Sequence, residues 1–421
     1  MQSYLQTLRL FNRDVRLYLA ATILFGFSLF GGITSLLLNL YLLRLGYGPT
    51  FVVWVNATGA FSFAVCSLPA GFMGARWDPR RVMIAGIGIA IIGNGLLSQA
   101  ELVAPGDREL FVIATNALGL LGVALYIVNG APYLMGVTGA RERNHVFSMQ
   151  GALFPLAGFF GSFVGGILPG RIAWLMNVAP NHPTPFRYTL LAASALLIPA
   201  LFLLISMQRP QVRQPRESVE EFDAPFPLGL IALIGVVSLL HVAGEGAVRT
   251  FFNVYMDAGL QIPTSLIGTL MATGQLLAAP VALTLPFFTG RLGNHPTVVL
   301  SAVCTPLMLI PMALLPHWIP AGLCFMNIVA LAAIRRPAFV VYNQEIVPPR
   351  WRATMSGASS MMAGIGYSVI AMGGGYIIST AGYPALFLTS AAFTALGTLV
   401  FWAYFRTPRG EFARPTSMNP S

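Results

Sequence analysis

Three ionisable side chains lie at helical spacing within one long apolar stretch. His241, Glu245 and Arg249 follow one another at i, i+4 and i+8 between Leu228 and Tyr255, after a run without formal charge. Residues at this spacing share one face of a helix. At ~1.5 Å per residue the stretch is long enough to cross a bilayer, so these groups are predicted to lie within the membrane. Ionisable groups at that depth face protein or a water-filled cavity, and they mark transport pathways or proton relays.

Glu245 is the candidate proton-coupling group, with His241 as a second candidate. Burial disfavours an ionised carboxyl group and a nearby Arg favours it, so Glu245 could change protonation as its distance from an Arg changes. An unperturbed His titrates close to neutral pH and could share this role. The alternative is structural: a neutralised pair of Glu245 with Arg249, beside a hydrogen-bonded His241. We favour the functional interpretation.

Two adjacent arginines, Arg335 and Arg336, interrupt another apolar stretch immediately before Pro337. Arg keeps its charge in proteins, so both side chains need a partner or water. Neighbouring positions point about 100° apart on a helix, so one Arg could meet Glu245 or a substrate while the other is held elsewhere. Alternatively, one or both lie close enough to the cytoplasmic interface for their heads to reach it. We favour one cavity Arg, and Arg249, Arg335 and Arg336 are candidate substrate-binding residues.

Neutral polar groups within apolar stretches are further candidates for substrate contacts. Tyr126 and Asn129 occur in one such stretch and Gln275 in another. These groups could hydrogen-bond a substrate, although contacts between helices are their commoner use. Aromatic residues such as Tyr367 could line an apolar pocket, but packing is the favoured interpretation for any single one.

The composition predicts an integral membrane protein. Of 421 residues, 56% are hydrophobic and 9% are charged, whereas soluble domains average about 25% charged residues. The net charge of +10 does not indicate a nucleic-acid partner, because all 24 basic residues are Arg, scattered in short groups between apolar runs. We expect the protein to lie in the lipid bilayer and to bind no nucleic acid.

No catalytic or metal motif is found in the sequence. It lacks an H-E-x-x-H pair, a G-x-S-x-G elbow and a G-x-x-x-x-G-K-S/T loop. Cys66, Cys304 and Cys324 each lie in an apolar run, which indicates buried small residues rather than disulfides or metal ligands. We therefore expect no enzyme, no metal site and no cofactor.

Twelve apolar stretches are predicted to be transmembrane helices. Their approximate ranges are 16–43, 51–75, 81–99, 110–137, 146–169, 188–207, 228–256, 264–287, 296–316, 319–345, 353–378 and 383–405. Residues 208–226 are long, polar and charged, which predicts a linker between two halves. The expected domains are a six-helix bundle over 1–207, a cytoplasmic linker over 208–226, a second six-helix bundle over 227–405, and a cytoplasmic tail over 406–421.

The distribution of Arg predicts the orientation. With the amino terminus inside, the inner segments hold 17 Arg and the outer loops four. Cytoplasmic loops carry such an excess, so both termini are expected in the cytoplasm of a multi-pass protein of the plasma (inner) membrane.

The two halves share short repeated patterns. Asn39-Leu40-Tyr41 followed by Pro49-Thr50 recurs at identical spacing as Asn253-Val254-Tyr255 followed by Pro263-Thr264. A second pattern, of one Ser and three Gly from Ser148 to Gly166, recurs from Ser356 to Gly374. The halves are therefore predicted to be pseudo-symmetric about an axis along the membrane normal, with a central site between them.

The loop after the second stretch reads Gly71-Phe72-Met73-Gly74-Ala75-Arg76-Trp77-Asp78-Pro79-Arg80-Arg81. It resembles the G-x-L-x-D-R-x-G-R-R signature of the major facilitator superfamily. With twelve stretches in two halves and a long middle loop, the resemblance covers essentially the whole chain. It implies an all-α membrane protein with twelve transmembrane helices in two six-helix pseudo-symmetric bundles. It also implies alternating access of a central cavity to the two sides of the membrane.

The signature loop departs from the family pattern at its acidic position. The family's Asp, which helps to latch the outward-open state, falls on Ala75 and, in the second half, on Gly290. The latch is therefore expected to be weaker or differently made, with Asp78 as a possible substitute. Positive-inside anchoring explains the basic residues about as well. The candidate gating-loop residues are Gly71, Arg76, Asp78, Arg80, Arg81 and Arg291.

The fifth stretch holds glycines that resemble the antiporter motif of the family's exporters. Gly158, Gly161, Gly165 and Gly166 match, but the motif's G-P pair is Gly161-Ser162 here. Small residues at this spacing allow close helix packing in lipid, and packing is the favoured interpretation. The resemblance to the motif also favours export, to a lesser degree.

These features predict a monomeric secondary transporter that moves a small molecule, with protons as the coupling ion. Proton-coupled efflux of a hydrophobic or amphipathic compound by antiport is the leading expectation. One alternative is a carrier of an anionic metabolite held by the intramembrane arginines. Another, of a different class, is a membrane scaffold or sensor that does not transport.

Overall fold

The computed structural model describes residues 11–179, 182–208, 227–262 and 264–407. Helices make up nearly all of these residues, and no strand occurs among them. Within this part of the chain, ten helical segments are long and apolar enough to cross a membrane, and a bent helix pair supplies a further crossing. One of the ten has 57 residues, about 85 Å of helix and enough for two crossings. The described residues therefore contain the twelve crossings that the sequence predicts.

The crossings are numbered as spans 1 to 12 in chain order. Spans 1 to 6 are Arg13–Ser28 with Ile33–Arg44, Pro49–Trp77, Pro79–Ser98, Pro105–Val137, Ala140–Met176, and Pro183–Ala195 with Leu197–Ser206. Spans 7 to 10 are Leu228–Val254, Thr264–Ala282 with Leu285–Leu292, Asn294–Leu314, and Trp318–Glu345. Spans 11 and 12 together form Arg352–Phe405, which is interrupted at Gly382.

Glycine and proline interrupt crossings that the sequence analysis treats as continuous. Gly31, between the two helices of span 1, has a φ of 80°, a conformation that glycine adopts without strain. Gly382 has the same φ, and it lies where a break is expected, between the predicted stretches 353–378 and 383–405. Span 8 bends by 47° between its two helices. Pro286 lies in the first turn of the second helix, where a missing N–H group is tolerated.

The chain forms two compact units. The first contains spans 1 to 4, span 5 from Leu153 onward, and span 6. The second contains spans 7 to 12 together with Thr138–Ala152, the first part of span 5. The predicted domain limits stay a prediction, because residues 209–226 of the expected linker and 408–421 of the expected tail lie outside the described residues.

Close glycine contacts hold span 5 against span 1 within the first unit. A Cβ atom on Gly161 would lie 2.1 Å from the carbonyl oxygen of Phe27, and one on Gly26 would lie 3.0 Å from that of Phe154. The hydroxyl of Ser162 donates a hydrogen bond of 2.6 Å to the carbonyl oxygen of Gly31. The two backbones therefore approach closely, as the glycine spacing predicts.

Span 7 is the helix that carries the ionisable stripe, and spans 11 and 12 pack along it. A Cβ atom on Gly366 would lie 3.0 Å from the carbonyl oxygen of Leu239, and one on Gly397 would lie 2.7 Å from Cβ of Leu240. The backbone N–H of Gly244 donates to the Thr394 hydroxyl at 2.8 Å. These contacts bury the stretch from His241 to Val248 and fix the rotation of span 7.

Candidate functional site

Glu245 lies at the centre of a cluster with three arginines from two helices. Its Oε1 atom is 2.7 Å from Nε of Arg249, one turn further along span 7. Its Oε2 atom accepts hydrogen bonds from Arg335 Nη2 at 3.0 Å and from Arg336 Nε at 3.1 Å, both from span 10. Nη2 of Arg336 is also 2.8 Å from Oε1 and donates to the hydroxyl of Tyr367 in span 11. We call Glu245, Arg249, Arg335 and Arg336 the arginine cluster.

The members of the arginine cluster differ sharply in exposure. The side chains of Glu245 and Arg335 are 1% and 5% exposed, whereas those of Arg249 and Arg336 are 32% and 51% exposed. Glu245 and Arg336 each lie nine residues from the nearer end of their helix, about 14 Å along it. Charged groups at that depth are not tolerated against hydrocarbon, so the exposed faces of Arg249 and Arg336 are expected to meet water.

The arginine cluster carries more positive than negative charge. Three arginines, which do not lose their protons in proteins, surround one carboxylate. Within spans 7 to 12 the sequence has one other acidic residue, Glu345, at the end of span 10. Glu345 lies 3.5 Å from Arg143 and accepts a hydrogen bond of 2.9 Å from Asn294. The cluster therefore has a surplus of two positive charges and can attract an anion.

His241 occupies a separate environment from Glu245, although both lie on span 7. Its Nε2 atom is 3.5 Å from the Thr398 hydroxyl, and its Nδ1 atom has no hydrogen-bond partner among the described residues. The imidazole packs against the rings of Phe339 and Phe401, with centroid distances of 5.5 and 6.1 Å. No hydrogen bond joins it to Glu245 in this part of the chain, and its role in proton coupling stays a prediction.

The neutral candidates in span 4 are buried inside the first unit. The amide of Asn129 is fully buried and donates to the carbonyl oxygens of Ala70 and Leu125, at 3.1 and 2.9 Å. The hydroxyl of Tyr126 is 3.2 Å from that of Thr22. The contacts with Ala70 and Thr22 join helices, which is the commoner use of such groups, so their role in substrate binding stays a prediction.

Gln275, in span 8, belongs to the second unit. Its side chain is half-buried and makes no hydrogen bond within the described residues. Its amide is therefore available to a ligand, and substrate binding stays a prediction for it too.

The residues of the predicted gating loop are spread over different environments. Asp78 caps span 3 by accepting a hydrogen bond of 3.0 Å from the Arg80 N–H, with a backbone φ of 96°. Arg80 donates from Nε to the carbonyl oxygen of Leu204 at 3.2 Å and from Nη2 to that of Ile205, the last turn of span 6. A guanidinium group at a helix carboxyl end satisfies carbonyls that lack a partner in the helix.

The other gating-loop candidates make no ion pair in the described residues. Gly71 is buried within span 2, and Arg76 and Arg81 are exposed. Arg291 lies over the ring of Phe287, 4.1 Å from its centroid. Gating by these residues stays a prediction.

Tyr367 is the member of the site that no sequence pattern links to the charged stripe of span 7. It lies in span 11, and a Cβ atom on Gly246 would come within 3.2 Å of its ring. A tyrosine in a glycine-rich apolar stretch carries no signal of its partner, and only the fold brings its hydroxyl to Arg336.

Comparison with known proteins supports a transporter fold. The chain is 29% identical over 162 residues to the uncharacterized MFS-type transporter Rv1250 of Mycobacterium tuberculosis, covering 38% of this chain and 26% of that protein. It is 22% identical over 342 residues to the uncharacterized MFS-type transporter YhhS of Escherichia coli K12, covering 78% and 77%. The proton:xylose symporter XylE superposes with a TM-score of 0.75 at 12% identity, over 95% of this chain and 97% of that chain.

This likeness in fold confirms twelve helices in two halves and a multi-pass membrane protein. The family and the fold together indicate a secondary transporter. The family model described as Major Facilitator Superfamily matches residues 18–334 and 234–420. The chain therefore belongs to the major facilitator superfamily.

Proposed function

We propose that the chain is a proton-coupled secondary transporter of a small organic anion, which binds at Arg249 and Arg336. The observation that carries this proposal is the arginine cluster, in which one buried carboxylate faces three arginines. Two of these arginines keep an exposed face, Arg249 five residues and Arg336 nine residues from the nearer end of their helices. Paired donors of this kind recognise carboxylate and phosphate groups.

Competition for the same arginines gives a physical route to proton coupling. Without substrate, Glu245 is the counter-ion of Arg249 and Arg336. An anion that binds these arginines draws them away from Glu245, and a buried carboxyl group with weaker counter-charges favours its protonated form. Anion and proton are then taken up together, and alternating access carries both across the membrane.

Efflux of a hydrophobic compound by antiport is favoured less by the geometry. A surplus of positive charge repels cationic lipophiles, and a neutral lipophile would leave the two surplus positive charges of the cluster unmatched. The glycines of span 5, which resemble the antiporter motif, are occupied in packing against span 1.

Transport by purified protein in liposomes tests the proposal against the scaffold or sensor alternative. Uptake of mono- and dicarboxylates and of phosphate esters is measured with and without an inward proton gradient. We expect saturable uptake, and an affinity at least about tenfold lower in Arg249→Gln and Arg336→Gln, because each removes a charge from the anion site. Arg406→Gln, at the exposed end of span 12, is the matched control.

The double variant Glu245→Gln/Arg335→Gln isolates the coupling step. It keeps the surplus of two positive charges but removes the carboxyl group that accepts the proton. We expect anion exchange to persist while the proton gradient no longer drives accumulation. Gradient-driven accumulation at the wild-type rate would contradict the role of Glu245, and unchanged affinity in both single Arg variants would contradict the anion site.

A further inference from the structure

We infer that the arginine cluster is built for a dianion, so that the transported anion carries two negative charges. This inference rests on the proposed function and names the substrate class of the same site. The shared chemistry is a small molecule with either two carboxylates or one phosphate ester.

The first argument is the local charge balance. Arg249, Arg335 and Arg336 contribute three positive charges and Glu245 contributes one negative charge. Glu345, the other acidic residue within spans 7 to 12, is held at the end of span 10 by Arg143 and Asn294. Part of this surplus faces water through Arg249 and Arg336, and a counter-ion that enters there lowers the remaining electrostatic cost. With Glu245 ionised, a dianion balances the cluster fully, whereas a monoanion leaves one charge unmatched. Once Glu245 is protonated the surplus is three charges, and a dianion still leaves one charge fewer unmatched than a monoanion does.

The second argument is the geometry of the free donors. Arg249 Nε and Arg336 Nη2 both contact Oε1 of Glu245, so they lie at most about 5.5 Å apart, the sum of their two distances from that atom. Both terminal nitrogens of Arg249 and Nη1 of Arg336 lack a hydrogen-bond partner among the described residues. Two guanidinium groups this close can both donate to the oxygens of one compact ligand.

A third observation concerns Arg335, which is almost fully buried. Its Nη2 atom donates to Glu245, but its Nε atom has no hydrogen-bond partner within the described part of the chain. A buried donor without a partner is expensive, and an additional acceptor at the cluster would satisfy it. The cluster therefore lacks an acceptor as well as negative charge.

Binding of matched anion pairs to the purified protein tests this inference. Succinate is compared with butyrate, and glycerol phosphate with its methyl diester, by calorimetry at pH 8, where a phosphate monoester carries two charges. We expect one dianion to bind at least about tenfold more tightly than its monoanionic match. Preference within the first pair identifies a dicarboxylate substrate, and preference within the second a phosphate ester.

The variants decide whether the arginine cluster causes the preference. In Arg249→Gln and Arg336→Gln the surplus falls to one charge, so the ratio of dianion to monoanion affinity should fall towards one. Arg406→Gln should leave the ratio unchanged, and thermal melting confirms that each variant is folded. Equal binding of both members of each pair, or an undiminished ratio in the Arg variants, would overturn the dianion inference alone. Binding of none of the four compounds to the folded protein would overturn the proposed function itself.

Discussion

At the scale of single residues, Glu245 is the counter-ion on which three arginines depend. Glu245→Gln leaves three converging guanidinium groups without a negative charge, and we expect a loss of about 3 kcal/mol or more of stability. Adding Arg335→Gln removes one of the repelling charges, so the double variant should melt at a higher temperature than Glu245→Gln alone. Thermal melting of the four proteins of this cycle measures the coupling energy. Additive losses would contradict a direct interaction between Glu245 and Arg335.

The sequence predicts part of this cluster because part of it is local. Glu245 and Arg249 are one helical turn apart, so their contact follows from spacing alone. Arg335 and Arg336 are recognisable as candidate site residues because Arg stays charged inside an apolar stretch. Their partner Glu245, however, lies 90 residues from Arg335 in the sequence. Adjacent positions also point in different directions, and it is the length of the Arg side chain that lets both reach Glu245. Such a convergence depends on how spans 7 and 10 pack, which no local pattern contains.

At the scale of helices, the contact between spans 1 and 5 depends on the absence of side chains at particular glycines. In Gly161→Ala the new Cβ atom would lie 2.1 Å from the carbonyl oxygen of Phe27. Because that neighbour is backbone, the helices must separate, and we expect a loss of about 1 to 3 kcal/mol. Gly170→Ala is the matched control in the same helix, since its Cβ atom would enter open space. Thermal melting in detergent compares the two variants, and equal stability would contradict close packing at Gly161.

Helix boundaries were predictable where apolar runs end, and less so where a helix is interrupted inside the membrane. The expected limits of span 10 nearly coincide with Trp318–Glu345, because polar and proline residues flank that run. The interruption of span 1 at Gly31 was not expected, since glycine is also common within membrane helices. Whether a given glycine takes the left-handed conformation is decided by the surrounding packing.

At the scale of the whole molecule, hydropathy predicts the number of crossings but does not indicate which distant segments pack together. Each crossing is an apolar run of sufficient length, and all twelve are present in the described residues. The first part of span 5, Thr138–Ala152, makes its contacts with the second unit, and the expected domain limits stay a prediction. Its Ser148 hydroxyl donates to the carbonyl oxygen of Ala282 at 2.7 Å. Contacts of this kind arise between distant segments and have no signature in the sequence of either one.

The predicted orientation of the molecule in the membrane rests on a property of the whole chain, the uneven distribution of its arginines. Inner segments are expected to hold 17 Arg against four in outer loops, because positively charged loops are retained in the cytoplasm. In a variant with Cys66, Cys304 and Cys324 replaced by Ala, single cysteines are placed at Ala104, before span 4, or at Thr407, after span 12. Both positions are exposed. We expect a membrane-impermeant maleimide to label Ala104→Cys on intact cells and Thr407→Cys only after permeabilisation, and the reverse pattern would contradict cytoplasmic termini.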